Sequence, residues 1–342
     1  MSKLIPDIFA LIIKALEDDY NTLFNCLLMN KPCYCKTIVT FDVTEVIKDY
    51  FDPPLSRFQA KILEEVFYDM IFKKCFKLYR LNISHKLCYK KYDILNFIRL
   101  KGNLSNIVEL ICGQHIDERF FHILAEICVN IRKLELKDSN KNNNQGLIKL
   151  IEAQNKLEYF TYNGNEGRNW DNFCEEIGQA LIKHKNTLKH IHGKTRLCIP
   201  LTILDSFVNL ETLMLGYFTR TMNGLHSIKL PKLQGDLLIN CSQLKHIKIY
   251  DGSLIDESLN GDAVLKILLK STSKNLQRIE IKGSWKFSVE AIEKFLNNLK
   301  ERNYSLYFEF DLNRNYFNKE FSNVIQNFID DNVLKNNPLN YL

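Results

Sequence analysis

One short pattern recurs along most of this chain and restricts its fold more than any other feature. The segment NLETLML (209–215) is a polar residue followed by leucine-x-x-leucine-x-leucine, and similar segments recur between residues 77 and 310. The first apolar position of the motif falls at residues 78, 107, 131, 157, 188, 210, 244 and 276, and Ser305 takes that place in a degenerate last copy. The period therefore averages about 28 residues, which is typical of a solenoid of repeated strand-and-helix units.

Amphipathic helices are predicted between several copies of the motif, because the apolar residues there fall on one helical face. These residues are Phe120, Phe121, Leu124, Ile127 and Cys128; Phe173, Ile177, Ala180 and Leu181; and Val289, Ile292, Phe295, Leu296 and Leu299. Asp171 and Ser288 stand where helix N-caps are expected. Strand and helix alternating at this period predict a parallel sheet with helices outside it, an α/β solenoid of the leucine-rich-repeat (ribonuclease-inhibitor-like) type.

The motif also predicts which side chains face the core. Side chains alternate along a strand, so the first, fourth and sixth positions should point inward, and the third and fifth should point to the concave face. The predicted core residues are Leu134, Leu136, Leu157, Leu210, Leu213, Leu215, Ile247, Ile249, Ile279 and Ile281. The solenoid is expected from about residue 55 to the C-terminus.

The concave positions form a mixed polar, aromatic and basic ladder that differs from repeat to repeat. Random drift of exposed residues would look similar, but such variety also suits recognition of a protein. Aromatic and arginine side chains are the usual anchors of interfaces. The candidate substrate-binding residues are Tyr159, His190, His192, His246, Lys248 and Arg278.

Composition argues against several other classes. The net charge of +6 comes from 46 basic and 40 acidic residues that are interspersed, so nucleic-acid binding is not expected. No apolar run approaches the roughly 18 residues needed to span a bilayer, so no membrane association is expected. The ten cysteines show no disulfide-framework or zinc-ribbon spacing, which indicates a reducing compartment, cytoplasmic or nuclear. Those inside apolar runs, such as Cys128 and Cys174, are predicted to be buried thiols.

Sequence motifs for catalysis or for a cofactor were not found. The chain has no P-loop, HExxH, GxSxG or dinucleotide fingerprint, so it is not expected to be an enzyme and no cofactor is expected. His190 and His192 have the spacing of two metal ligands on a strand, but their neighbouring ladder positions do not complete a metal site. Two surface imidazoles are the favoured interpretation.

The N-terminal segment IPDIFALIIKALEDDYNTLFNCLLMNK (5–31) is predicted to form short amphipathic helices. Pro6 suits the first turn of a helix, and Asp7 is favourable beside its N-terminus. The apolar surface of these helices exceeds what roughly 45 residues can bury alone. The stripe must therefore pack against the repeats or against another protein.

This segment resembles an F-box, particularly the fungal pattern. The matching residues are Ile5, Pro6, Asp7, Ile8, Leu16, Glu17, Asp18, Asp19, Thr22, Leu23, Cys26, Leu27, Leu28 and Asn30. With its repeats, nearly the whole chain is similar to F-box/leucine-rich-repeat proteins. The resemblance implies a small all-α F-box in residues 1–45 and a leucine-rich-repeat solenoid in residues 46–342, with a helical lead-in at about 55–76.

The resemblance also implies a function. F-box helices bind a Skp-type adaptor, which joins them to the cullin scaffold of an SCF (cullin–RING) ubiquitin ligase, while the repeats recruit a protein substrate. The expected adaptor-binding residues are Ile5, Pro6, Ile8, Phe9, Ile12, Leu16, Leu23 and Leu27. An alternative stays open at this point: the chain is a leucine-rich-repeat interaction scaffold, and its F-box-like helices only cap the end of the solenoid.

Overall fold

The computed structural model describes residues 37–39, 78–83, 104–113, 116, 118–137, 145–163, 170–193, 199–216, 241–250, 259–270, 275–283, 285–302, 305–310 and 319–335. The described residues up to Leu157 form one compact unit, and those from Glu158 onward form a second. Apart from residues 37–39, the predicted F-box (1–45) lies outside the described residues. So do the lead-in at 55–76 and the predicted boundary at 45/46, and these three expectations remain predictions.

The first unit contains four parallel strands that pair in chain order. They are β1 (Thr37–Val39), β2 (Arg80–Ile83), β3 (Glu109–Cys112) and β4 (Lys133–Lys137). Helix α1 (Glu118–Ile127) follows β3, and helix α2 (Gln145–Glu152) follows β4. Strand β1 lies inside the stretch predicted as helical, where the run Thr37, Ile38 and Val39 is rich in the β-branched residues that favour strands.

The second unit contains a larger parallel sheet and a small one. Its strands are β5 (Tyr159–Asn163), β6 (His190–Gly193), β7 (Thr212–Leu215), β8 (His246–Tyr250), β9 (Leu259–Asn260), β10 (Arg278–Lys282), β11 (Trp285–Lys286) and β12 (Tyr307–Phe310). The larger sheet has the order β5-β6-β7-β8-β10-β12, and β9 pairs with β11. The helices are α3 (Trp170–Ile182), α4 (Gly261–Lys270), α5 (Val289–Glu301) and α6 (Lys319–Asp330), with a 3-10 helix at Leu201–Ser206.

The strands are parallel and share the register that the motif predicts. In the second unit the fourth motif position of each strand pairs with the fourth position of the next, giving the row Phe160, Ile191, Leu213, Ile247, Ile279 and Phe308. In the first unit the same position gives the row Leu81, Leu110 and Leu134. All ten predicted core residues are buried, so the assignment of the inward positions is confirmed.

The helices pack their predicted apolar faces inward. The predicted face residues of α1 and α3 are buried, as are those of α5 apart from the half-buried Val289. Ser288 is the N-cap of α5, and its hydroxyl oxygen accepts a hydrogen bond from the backbone N–H of Ala291 at 3.1 Å. Helix α3 begins at Trp170, so the predicted N-cap Asp171 lies inside the helix and that prediction was wrong.

Side-chain hydrogen bonds connect the turns that precede successive strands. The buried amide of Gln154 accepts from the backbone N–H of Ile131 at 2.8 Å and donates to the carbonyls of Cys128 and Leu150 at 2.8 and 2.7 Å. In the second unit, Asn209 donates to the carbonyl of Asn186, and Asn275 donates to that of Ser242. These bonds satisfy backbone groups that the strands and helices leave unpaired.

The described cysteines are buried free thiols. Cys128 and Cys174 are buried, as predicted, and so are Cys112 and Cys241. Burial raises the pKa of Cys128 and of Cys241 to about 12, so neither is a thiolate at neutral pH. These residues pack as small apolar side chains.

Within the part of the chain that the structure describes, no helix is long and apolar enough to cross a bilayer.

Candidate functional site

The strand register of the second unit assembles two rows of side chains on the sheet face opposite the fourth-position core. The third motif positions form the row Tyr159, His190, Thr212, His246, Arg278 and Tyr307. The fifth positions form the row Thr161, His192, Met214, Lys248, Glu280 and Glu309. We call these twelve residues the ladder face. All six candidate substrate-binding residues lie on it.

The ladder face is aromatic at its β5–β6 end. The rings of Tyr159 and His190 stack, with centroids 4.0 Å apart and planes 10° apart. The ring of His192 meets that of His190 edge-on at 6.4 Å. Tyr159 is 36% exposed, which makes it one of the few large apolar side chains of the described residues that reach solvent. Burial lowers the pKa of His190, so this imidazole is neutral at physiological pH.

The β8–β10 end of the ladder face is built around the carboxylate of Glu280. This residue is only 3% exposed, yet two cations and an imidazole surround it: Lys248 Nζ at 2.5 Å, Arg278 Nε at 2.6 Å and His246 Nε2 at 3.1 Å. A buried carboxylate needs such partners, because an unpaired charge away from water is very costly. Glu280 therefore holds three neighbouring side chains in place.

A second buried carboxylate, Glu309, extends this cluster. Its oxygens lie 3.2 Å from Arg278 Nη2 and 2.7 Å from Lys282 Nζ. The guanidinium carbon of Arg278 also lies 4.3 Å from the ring centroid of Tyr307, within the range of a cation–π contact. Arg278 is thus held on three sides, by Glu280, Glu309 and Tyr307. We call Lys248, Arg278, Lys282, Glu280 and Glu309 the ionic cluster.

The charge states of this end follow from the pairing. Burial opposes ionisation of Glu280, but hydrogen bonding and the charges of Lys248 and Arg278 outweigh it and lower the pKa of that carboxyl. Burial likewise opposes charge on Lys248, and its hydrogen bonds to Glu280 and Tyr250 still raise the pKa of the amine. The hydrogen bond to Glu309 raises the pKa of Lys282. The ionic cluster contains three basic and two acidic side chains, and Lys248, Lys282 and Glu280 carry their charges at neutral pH.

Sequence reasoning placed Glu280 and Glu309 on the outward face but did not select them as site residues. It treated the outward positions as exposed, whereas Glu280, Glu309 and Thr161 are buried by their neighbours. The signal that could have identified Glu280 is its basic surroundings. Arg278 and Lys282 flank it on its own strand, and Lys248 faces it on β8. The candidate adaptor-binding residues at 5–27 lie outside the described residues.

Among the described residues, no group of three or more His, Cys, Asp or Glu side chains could hold a metal ion. His190 and His192 lie on the ladder face beside Tyr159 and Met214, which are poor partners for a metal site. The contacts that the structure describes on the ladder face are stacked rings and ion pairs.

No family model matches the chain, and no curated protein matches it.

Proposed function

We propose that this chain is the substrate-recruiting subunit of an SCF-type ubiquitin ligase, in which an N-terminal F-box binds a Skp-type adaptor and a leucine-rich-repeat solenoid binds the protein to be ubiquitinated. The solenoid is supported by the period of about 28 residues and by the common register of the parallel strands in each unit. The F-box is supported by the resemblance of residues 5–30.

The ladder face is the observation that carries the recruiting role. A solenoid whose outer positions serve only solubility needs no buried carboxylates, yet Glu280 and Glu309 are buried where they hold Arg278 and two lysines in place. Aromatic and arginine side chains held in this way lose little conformational freedom when a partner binds, which favours recognition.

The adaptor-binding role can be tested by a pull-down. Burying one large aliphatic side chain contributes roughly 1.5–3 kcal/mol, so losing two anchors should weaken binding by about two to four decades. We expect a Skp-type adaptor to bind the wild-type chain and not Ile8→Lys/Leu16→Lys, because the lysines would also place charge in an apolar contact. A thermal melt of both chains is the folding control.

The same experiment separates the proposal from the scaffold alternative. Lost adaptor binding with an unchanged melt supports the F-box role. If even the wild-type chain captures no adaptor and the double variant melts at a lower temperature, the N-terminal helices cap the repeats and the ligase proposal is wrong. The chain has KPCYC (31–35) shortly after Asn30, where the family usually has a tryptophan, so the alternative is a serious one.

A further inference from the structure

We propose that the ladder face binds an extended segment of the substrate carrying an aromatic residue and a carboxylate residue three to four positions apart. This inference rests on the proposed substrate-recruiting function and specifies the chemistry of its substrate. It follows from three observations: the sign of the charge at one end of the face, the aromatic surface at the other, and the number of strands between them.

The charge of the ionic cluster favours an acidic group. Its three cations outnumber its two carboxylates, so one positive charge remains after internal pairing. His246 adds no charge at neutral pH, because burial lowers its pKa. The side chains of Arg278 and Lys282 are 42% and 36% exposed, so both can contact a partner while they stay bound to Glu309. A single aspartate or glutamate carboxylate would neutralise the remaining charge.

The aromatic end favours an aromatic side chain. Tyr159 and His190 present stacked rings, and Tyr159 is one-third exposed. A neutral imidazole and a phenol can stack with another ring or meet it edge-on at little desolvation cost. Thr212 and Met214 of β7 lie between this end and the ionic cluster, and both are half-buried. The middle of the face therefore carries no charge.

The spacing follows from the geometry of the sheet. Neighbouring strands lie about 4.8 Å apart, so β6 and β8 are separated by about 10 Å and β6 and β10 by about 14 Å. An extended chain advances about 3.3 Å per residue. A segment that crosses the strands would therefore place its aromatic residue over His190 and its carboxylate at Lys248 or Arg278 with a separation of three to four positions.

The test uses the full-length chain and synthetic peptides. The probe is a fluorescein-labelled ten-residue Gly/Ser peptide with one Trp and one Glu, separated by one to seven positions and made in both orders. We expect fluorescence polarisation to show the tightest binding at three to four positions, in one of the two orders. Replacing that Glu by Gln should weaken binding by about fivefold, the upper end of what one partly exposed ion pair contributes.

Two lysine variants assign the carboxylate to the ionic cluster. Lys282→Gln should remove most of the preference for Glu over Gln in the peptide, because Lys282 belongs to the cluster. Lys245→Gln should retain that preference, because Lys245 pairs with Glu211 outside the ladder face. Melting curves identify any variant that is unfolded. The changes of spacing and of Glu to Gln in the peptide are measured on the wild-type chain, so they test the inference even if a variant fails to fold.

The outcomes separate this inference from the ligase proposal. Affinity that does not depend on the Trp–Glu separation, or an equal affinity for the Gln peptide, overturns the inference. If Lys245→Gln also loses the preference for Glu, the peptide carboxylate responds to the general surface charge and not to the ionic cluster, which also overturns the inference. No adaptor takes part in this assay, so a chain that captures the adaptor and fails here loses only the inference.

Discussion

At the scale of single residues, Gln154 carries an unusual share of the hydrogen bonding of the first unit. Its amide is 5% exposed and pairs with one backbone N–H and two carbonyls from different turns. Leaving such buried groups unpaired costs about 1–3 kcal/mol. We expect Gln154→Ala to lower the free energy of unfolding by that amount in urea titrations. The matched control is Gln179→Ala, which removes an exposed hydrogen bond to Glu175 and should change stability by about 0.5 kcal/mol or less.

His190 gives a residue-scale prediction about pH. Burial lowers its folded-state pKa below the ordinary value of 6.5, so protonation favours the unfolded chain. The stability that neutral His190 contributes is therefore present above pH 6.5 and is lost as the pH falls through the folded-state pKa. We expect the free energy of unfolding to fall from pH 7.5 to pH 5.5, and to fall less in His190→Gln. An equal decrease in both chains would contradict this assignment, although His246 should produce a similar decrease of its own.

At the scale of secondary-structure elements, strand β7 offers a test of the register. Leu213 points into the core and is 1% exposed, whereas its neighbour Thr212 points to the ladder face. Replacing a buried leucine by alanine costs about 2–5 kcal/mol, because the change removes apolar contacts and leaves a cavity. We expect Leu213→Ala to destabilise the chain by that amount and Thr212→Ala by about 1 kcal/mol or less. Urea unfolding of both variants measures the difference. A larger destabilisation by Thr212→Ala than by Leu213→Ala would show that the face of β7 carrying Thr212 packs against the core.

The elements were the part of the fold that the sequence predicted best. The leucine-x-x-leucine-x-leucine spacing shows which side chains of a strand face the core, and the motif recurs from one strand to the next. Leu213 and Ile279 could therefore be placed in the core without knowledge of their neighbours. The roles of Glu280 and Gln154 could not be predicted in that way. Each depends on side chains or backbone groups of other strands or turns, such as His246 and Lys248 for Glu280, which the register brings close. A pattern read along one strand does not contain those contacts.

At the scale of the whole molecule, the proposed solenoid would separate the two proposed functions of the chain. In a solenoid each repeat packs mainly on its neighbours, so stability and binding are approximately sums of local terms. The described contacts of the ionic cluster fit this view, because Glu280 and Glu309 pair with side chains of β8 and β10 only a few ångströms away. Under the proposed function, substrate preference would change through a few outward positions while the inward positions keep the register.

This separation predicts that the adaptor and the substrate bind independently. Independent sites have additive effects to within about 0.3–0.5 kcal/mol, which is roughly a twofold change in affinity. We expect Ile8→Lys/Leu16→Lys to bind the best Trp–Glu peptide within twofold of the wild-type chain, and Lys282→Gln to capture the adaptor as well as the wild type does. The measurements are the peptide titration and the adaptor pull-down, each made on both variants and on the variant that combines them. The contrary result is a change of more than about fivefold in binding at the site that was not mutated, in a variant whose melting curve still shows a folded chain. That result would mean that the two sites are coupled, because packing between neighbouring repeats alone does not transmit a local substitution to the other site.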